Sequence, residues 1–507
     1  MDKSQRRALM FYARKKQIIT TAVILAIVLV LGVVAAALCF TEPGRDIVKE
    51  VRYIVDDVKD LWNDSVSYVQ ESLKRDQLIY TLNADGTGYI VTADGAFDNA
   101  NIKIPTLYKD LPVTQIGDKG FYNCGAASIV IPNSVTHIGE NAFANCKNLS
   151  QVTISENVTV ISKRAFSGCT SLQSVTIPDG VQYLEERAFE NCTSLTQVTI
   201  SKNVIGIKKG VFIGCTSLQS ITIPEGVKYL EEYAFSGCTS LERVVLPKIM
   251  NGIGNHAFEN CLALKSVVLS DGLTSIRSHT FYGCTALSEI TIPDSVKYIR
   301  AYAFAESGIT KIVIHTGISR IEKYAFFQCN ELKTVTMENG VRNIDQHAFA
   351  ACAALQEIAL PDSIENIEQS VFSDCVSLTD VTLPNNLKNL ENDVFANCTS
   401  LTEIVIPGNI NTIYRDAFSG CTSLTSVTIS YGVKHVYDKV FSGCSALKQI
   451  TIPSSMNWMY FSFSECAGLT DIYFTGTEEE WQGVLTGDAG DAPLPDTVTV
   501  HFNYTGE

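Results

Sequence analysis

The sequence lacks the residue patterns that most enzymes and metal sites require. None of its 16 cysteines forms a C-x-x-C pair or a zinc-spaced cluster with histidine, so we predict no metal and no cofactor. It has no H-E-x-x-H and no G-x-S-x-G pattern. We predict that the protein is not an enzyme, with no catalytic, metal or cofactor-binding residue to name and with unknown ligand-binding residues. A site assembled from distant coils remains an open alternative, because the seven histidines mostly occupy variable positions: 137, 256, 279, 315, 347, 435 and 501.

The chain also lacks an excess of positive charge. Its 54 Asp and Glu residues outnumber its 39 Lys and Arg residues, which gives a formal net charge of −15. Nucleic-acid binding requires a basic face to meet the phosphates. We therefore predict no nucleic-acid partner.

Charge is absent altogether from residues 18–40, IITTAVILAIVLVLGVVAAALCF. At about 1.5 Å per helical residue, this run matches a hydrocarbon core of about 30 Å. Residues 1–17 before it carry six Lys and Arg against Asp2 alone, and an excess of positive charge marks the cytoplasmic side. We predict a cytoplasmic basic leader at 1–17 and one transmembrane helix at 18–40 that anchors the chain in the plasma membrane, with the rest outside. A cleaved signal peptide is the alternative, since Ala35–Ala37 could be its cleavage site.

What the chain does have is one pattern repeated sixteen times. Residues 172–192, LQSVTIPDGVQYLEERAFENC, show the template L-x-x-V-x-I-P-x-x-V-x-x-I-x-x-x-A-F-x-x-C. Self-similarity at a fixed period of about 20–50 residues indicates a solenoid of stacked coils. The template Phe recurs at steps of 23 or 22 residues, at positions 121, 143, 166, 189, 212, 235, 258, 281, 304, 326, 349, 372, 395, 418, 441 and 463.

The template explains why the coils must stack. Its eight apolar residues in 23 are too few to form a core within one coil, so each coil must bury them against its neighbours. The V-x-I segment has the two-residue period of a strand, and the Pro after it ends the strand because it cannot donate to a ladder. We predict a β-rich solenoid of about sixteen coils, built of short strands and turns.

The template resembles the BspA-like leucine-rich repeats of bacterial and protist surface proteins. The resemblance covers about residues 105–474, the predicted repeat domain. The flanking segments TLNADGTGYIVT, at 81–92, and TGTEEEW, at 475–481, resemble the family's leading hairpin and closing segment. The resemblance implies a leucine-rich-repeat solenoid at the cell surface that binds a partner, but it does not identify the ligand.

The flanks of the repeats are predicted to be a helix and two caps. Apolar residues step by three and four through residues 44–75, so we predict an amphipathic juxtamembrane helix at 41–75. It could be a stalk, a short coiled coil that joins two chains through 44–75, or a helix packed on the first coil. We predict an N-terminal cap with a hairpin at 76–104. The predicted C-terminal cap at 475–507 contains a helix that starts at Thr477–Glu480 and a strand at 496–502.

Fifteen of the sixteen cysteines stand three residues after a template Phe, and the Phe304 coil has Ser307 instead. A Cys position that repeats from coil to coil is typical of core packing, and an odd number of cysteines cannot all pair in disulfides. We predict fifteen buried free thiols that act as small hydrophobic groups. Disulfides are the alternative, because exported chains usually oxidise their cysteines.

The middle residues of the V-x-I strands are predicted to face solvent and are mostly Thr or Val. This row could reflect strand propensity alone, or it could be a flat docking surface. The adjacent acid pairs Glu185–Glu186 and Glu231–Glu232 are interpreted as a solvated face. We predict a membrane-anchored cell-surface protein whose solenoid binds protein or glycan partners, with a structural spacer or envelope-associated scaffold as the alternative.

Overall fold

The computed structural model describes residues 78–93, 100–460, 462–485, 494 and 497–505. The chain divides into two units, residues 1–77 and 78–507, and every described residue belongs to the second. The predicted leader at 1–17, transmembrane helix at 18–40 and juxtamembrane helix at 41–75 therefore lie outside the described residues. No helix in the described part of the chain is long and apolar enough to cross a membrane.

The V-x-I segments form a first row of parallel strands, as predicted. The register joins equivalent residues of successive coils, so that Val175 lies opposite Val198. Within each strand the Val and Ile side chains point inward and the residue between them points out, as at Val175, Thr176 and Ile177. The strands of this row are Asn101–Lys103, Ser128–Val130, Gln151–Thr153, Ser174–Thr176, Gln197–Thr199, Ser220–Thr222, Arg243–Val245, Ser266–Val267, Lys311–Ile314, Thr334–Met337, Glu357–Ala359, Asp380–Thr382, Glu403–Ile406, Ser426–Ile429, Gln449–Ile452, Asp471–Phe474 and Thr499–His501.

A second row of parallel strands forms around the second Ile of the template, and the sequence did not predict it. Most of these strands are two residues long, too short for a periodicity of their own, and they depend on the coil before and the coil after for their hydrogen bonds. The row comprises Leu111–Ile116, His137–Ile138, Val160–Ile161, Tyr183–Leu184, Gly206–Ile207, Tyr229–Leu230, Gly252–Ile253, Ser275–Ile276, Tyr298–Ile299, Arg320–Ile321, Asn343–Ile344, Asn366–Ile367, Asn389–Leu390, Thr412–Ile413, His435–Val436 and Trp458–Met459.

The Ala-Phe segment forms the third side of each coil as a turn that is also bonded to the next coil. The Phe166 N–H, for example, donates to the Ala188 carbonyl oxygen at 2.8 Å. The described residues two before and two after each template Phe have positive φ, as Arg164 and Gly168 do beside Phe166. Each fully described turn therefore has two residues in the left-handed backbone conformation. Residues other than glycine adopt this conformation at an energetic cost.

The template Phe residues make one continuous ladder inside the stack, and the template Cys residues make a second one that Ser307 interrupts. Neighbouring Phe rings lie nearly parallel with centroids 5.1 Å apart between Phe143 and Phe166 and 6.0 Å apart between Phe441 and Phe463. The thiol of Cys192 donates to the carbonyl oxygen of Phe166 in the preceding coil at 3.2 Å, and this contact recurs along the stack. All fifteen template cysteines are free and buried, which confirms the packing interpretation and adds a polar contact to it.

Both ends of the stack carry the elements expected of caps. An antiparallel hairpin joins Leu78–Leu82 to Tyr89–Ala93, and Leu107–Tyr108 pairs with the start of Leu111–Ile116. At the other end, helix α1 spans Glu478–Leu485. Thr477 and Glu480 cap it reciprocally: the Glu480 N–H donates to Thr477 Oγ1 at 3.2 Å and the Thr477 N–H to Glu480 Oε2 at 2.8 Å. The final strand, predicted at 496–502, is confirmed over Thr499–His501.

Phe326 and Phe327 allow a matched test of which residues form the core. Phe326 is a fully buried member of the Phe ladder, whereas its neighbour Phe327 is half-buried against the edge of Tyr324. We expect Phe326→Ala to destabilise the stack by about 3–5 kcal/mol, because the lost ring leaves a cavity between two coils. Phe327→Ala should cost less than half as much. Urea unfolding of both variants would show equal losses if the ladder were not the core.

Candidate binding surface

The exposed side of the first strand row forms a surface that we call the strand face. Its middle residues are largely exposed, Val268 by 82% and Val405 by 60%. Small Ala359 stands between Thr336 and Thr382 and leaves a shallow depression of 470 Å³. The prediction that these side chains face solvent is confirmed. The middle residues are Thr153, Thr176, Thr199, Thr222, Val245, Val268, Thr291, Val313, Thr336, Ala359, Thr382, Val405, Thr428 and Thr451.

The residues at the start of the first-row strands border the strand face, and some of them add charge to it. Near the middle of the stack Lys311 pairs with Glu289 of the preceding coil, with Nζ and Oε1 3.1 Å apart. Further along, the exposed carboxylates of Glu357, Asp380 and Glu403 have no ion-pair partner among the described residues. The C-terminal half of the strand face is therefore flat, uncharged along its centre and acidic along one side.

The acid pairs that the sequence placed on a solvated face hold neighbouring coils together. Glu186 accepts from the Lys163 ammonium at 2.9 Å, and this contact holds the pKa of the Glu186 carboxyl below its usual value. Glu232 accepts in the same way from Lys209 at 3.0 Å. These side chains are partly exposed, so the ion pairs contribute little to the free energy of unfolding. Their main effect is on the register between neighbouring coils.

A second surface follows the turns, two positions before each template Phe, and we call it the turn row. Every described position of this row has positive φ, yet only Gly210 is a glycine. Glycine would adopt this conformation without strain, so the side chains are retained despite a cost. Their chemistry changes in blocks along the stack, with Lys119, Asn141, Arg164 and Arg187 first, then Tyr233, His256, His279, Tyr302, Tyr324 and His347, then Ser370, Asp393, Asp416 and Lys439.

The six consecutive aromatic residues of the turn row, Tyr233 to His347, form one stacked ribbon that we call the aromatic row. Ring centroids are 4.4 Å apart from Tyr233 to His256 and again from His256 to His279. The spacing is 4.7 Å from His279 to Tyr302 and from Tyr302 to Tyr324, and 4.8 Å from Tyr324 to His347. Each ring is half-buried. The neighbours cover the ring faces, so the edges of the rings meet solvent.

Along the aromatic row, most hydrogen-bonding groups have no hydrogen-bond partner among the described residues. The Nδ1 atoms of His279 and His347 are buried and unbonded, while His256 Nδ1 lies 3.3 Å from Glu259 Oε2. Since Nδ1 points inward, the imidazole edge that faces solvent carries Nε2. The row therefore displays three Tyr hydroxyls and three imidazole nitrogens in single file. Within the described residues no group of three or more His, Cys, Asp or Glu could hold a metal ion. Hydroxyls and imidazole nitrogens can donate to and accept from a polar ligand.

The sequence analysis found the histidines mostly at variable positions, and the structure shows that three of these positions are equivalent. His256, His279 and His347 occupy the same place in their coils, and the first two stack directly. Their shared distance of two residues before Phe258, Phe281 and Phe349 was visible in the sequence. The signal was missed because the repeats are recognised by their apolar positions, whereas the residues of the turn row vary from coil to coil and are partly exposed.

Burial lowers the pKa of His279, and the neighbouring His256 lowers it further, although Glu259 acts in the opposite direction. Burial also lowers the pKa of His347, which Asp393 partly opposes. A histidine whose pKa is lower in the folded state contributes stability that is complete above its unfolded pKa of about 6.5. That contribution is lost as the pH falls from about 6.5 through the folded value. The coils around His279 should therefore loosen in mild acid.

His279→Tyr tests this acid sensitivity, because Tyr302 shows that tyrosine fits the same place. We expect the hydrogen-exchange protection factors of the coils from His256 to Tyr302, corrected for the pH dependence of intrinsic exchange, to fall between about pH 7.5 and pH 5 in the natural protein, and less so in the variant. His435→Tyr is the control, since His435 stacks on Trp458 in a distant coil. Equal acid responses in the natural protein and in His279→Tyr would contradict the assignment.

Comparison with known proteins agrees with this architecture. The chain is similar to a leucine-rich repeat protein from Bacteroides ovatus, with 26% identity over 84% of this chain and 98% of that one and a TM-score of 0.64. It also resembles a leucine rich cell surface protein from Faecalibacterium prausnitzii, with 26% identity over 82% and 97% of the two chains and a TM-score of 0.35. No curated protein matches. The family model "BspA type Leucine rich repeat region" matches in six overlapping copies over residues 92–196, 114–242, 163–282, 205–329, 251–379 and 365–483. The chain therefore belongs to the BspA-type leucine-rich repeat family.

Proposed function

We propose that this chain is a membrane-anchored cell-surface protein whose solenoid recognises a protein or glycan partner. The anchor is residues 18–40, with residues 1–17 in the cytoplasm and residues 41–507 outside. The apolar run and the basic residues before it support this topology. Membership of a family of surface proteins favours the same location.

The aromatic row is the observation that favours a role in recognition over a purely structural role. A spacer needs only the buried ladders, and the Phe ladder is regular from Phe121 to Phe463. The turn row instead changes from basic to aromatic to acidic, and each residue of the aromatic row accepts a left-handed conformation that glycine would adopt without strain. Exposed side chains specific to certain coils, on one side of a solenoid, are typical of a binding surface.

The geometry of the aromatic row favours a long polar ligand. Stacked rings leave little free face for an apolar group, but their edges offer a hydrogen-bonding group about every 4.4–4.8 Å along six coils. A polysaccharide or an extended polypeptide presents hydrogen-bonding groups along its length. The ligand would therefore run along the stack and contact several coils at once.

The strand face supports a second area of contact with the same partner or with another protein. It is flat and uncharged at its centre, and its acidic side disfavours nucleic acid. A spacer or envelope-associated scaffold with no specific ligand is the alternative function. A dimer formed through residues 44–75 would be compatible with either function.

Binding by intact cells that display the full-length chain tests the proposal. The cells are incubated with a panel of polysaccharides and purified surface proteins, before and after protease treatment from outside. We expect the chain to bind at least one ligand and protease to remove both the repeats and the binding. Tyr302→Ser with Tyr324→Ser should weaken binding about tenfold or more, because two exposed hydrogen-bonding rings are lost.

The matched control replaces Asp393 and Asp416 with serine. Both lie in the turn row, and Ser370 shows that serine adopts the same conformation there. This control should retain binding and the same urea midpoint as the tyrosine variant. Equal binding by the two variants would remove the aromatic row from the proposal. A chain that binds nothing on the panel would favour the spacer, and repeats protected from protease would contradict the topology.

A further inference from the structure

The first two cysteines of the buried ladder differ from the rest. The sulfur atoms of Cys124 and Cys146 are 2.7 Å apart, whereas later cysteines direct their thiols to a Phe carbonyl oxygen in the preceding coil. Among the described cysteines this is the one direct sulfur–sulfur contact. The pair therefore has a chemistry that the other thiols of the ladder lack.

Cys124 and Cys146 belong to the first two coils with a template Phe. Cys146 donates to the carbonyl oxygen of Phe121 at 3.0 Å, and its sulfur also lies against that of Cys124. The step from Phe121 to Phe143 is one residue shorter than the usual 23, so these two coils differ in spacing from most of the others.

We propose that Cys124 and Cys146 form a disulfide when the protein meets a disulfide oxidant, which links the first coil covalently to the second. The backbones are already held together beside the two residues. The Asn123 N–H donates to the Ala144 carbonyl oxygen at 2.8 Å, and the Phe121 N–H to that of Ala142 at 2.7 Å. Residues in paired strands lie about 4.8 Å apart, within the range of about 4.4–6.8 Å between the Cα atoms of a disulfide.

The oxidation proceeds by two thiol–disulfide exchanges. The Cys124 thiolate attacks one sulfur of the oxidant, forms a mixed disulfide and releases the other half as a thiolate. That thiolate accepts the Cys146 proton, and the Cys146 thiolate then attacks the Cys124 sulfur and expels the second half of the oxidant. The expelled thiolate takes up the proton that Cys124 released. In total the protein loses two protons and two electrons, and the oxidant is reduced to two thiols. The Cys146 thiol gives up its bond to the Phe121 carbonyl oxygen.

Burial and hydrogen bonding favour Cys124 as the attacking group. Contact with the Cys146 thiol lowers the pKa of Cys124, whereas contact with Cys124 and burial raise the pKa of Cys146. Cys124 also retains 3% exposure, whereas every template cysteine from Cys146 to Cys444 is fully buried. The reaction therefore starts at the end of the ladder and does not spread along it, since burial raises the pKa of Cys169 and of the cysteines beyond it.

The disulfide would act beside the N-terminal cap of the stack. On that side the coil is paired with the short strands Tyr89–Ala93 and Asn101–Lys103 of the cap. A covalent link from Cys124 to Cys146 would keep the first coil in register on the second. If the repeats are exported as proposed, the oxidising environment would form this link, but the chemistry itself does not depend on the proposed ligand.

The test uses the full-length chain, purified with reductant and then incubated with oxidised glutathione. Free thiols are alkylated in denaturant, the remaining disulfides are reduced, and the released thiols receive a heavy-isotope alkyl label. We expect the heavy label on Cys124 and Cys146 alone, a cross-linked peptide that contains both, and an intact mass lower by two hydrogens. The other thirteen template cysteines should carry the light label.

Cys146→Ala is the diagnostic variant, and Cys169→Ala is its control one coil further along. Without Cys146 the mixed disulfide cannot be resolved, so Cys124 should keep one glutathione and the cross-linked peptide should be absent. Cys169→Ala should still form the Cys124–Cys146 link. Light label on both Cys124 and Cys146 of the natural chain after oxidation would overturn the proposal, as would a heavy label spread evenly along the ladder.

Discussion

Each coil of this protein depends on its neighbours to bury its apolar side chains. The Phe ring of an internal coil is covered by the rings of the coils before and after it, and its Cys thiol donates to a carbonyl oxygen of the coil before. No coil can satisfy these contacts alone, and none can slip against its neighbour without breaking both ladders. The regular spacing of the buried residues, and hence the order of the exposed ones, follows from this dependence.

The buried half of the fold could be predicted from the sequence because burial constrains residue type. Positions that face the stack must carry Leu, Val, Ile, Phe, Ala or Cys in almost every coil, so their period is visible without alignment to other proteins. The V-x-I strands, the buried thiols and the capping box at Thr477 all follow from such local rules. The membrane helix at 18–40 remains a prediction from its own apolar run.

The exposed half could not be predicted in the same way, because solvent-facing positions are free to vary. The two-residue strands of the second row have no periodicity of their own. The left-handed turn residues had a signal, since the position two after Phe is Asn, Gly or Asp in most coils, as at Asn145, Gly168 and Asp374. The aromatic row had one too, but it is visible only when variable residues are compared at the same place in each coil.

Deletion of one coil tests most directly whether each coil needs only correctly placed neighbours. Removing residues 193–215 takes out one full 23-residue repeat and joins Cys192 to Thr216, so both ladders continue in register. Removing residues 193–204 breaks them in the middle of a coil. By urea unfolding and hydrogen exchange, the first deletion should leave a folded stack close to the natural stability, and the second should unfold the coils around the junction. Equal damage from both deletions would contradict the account.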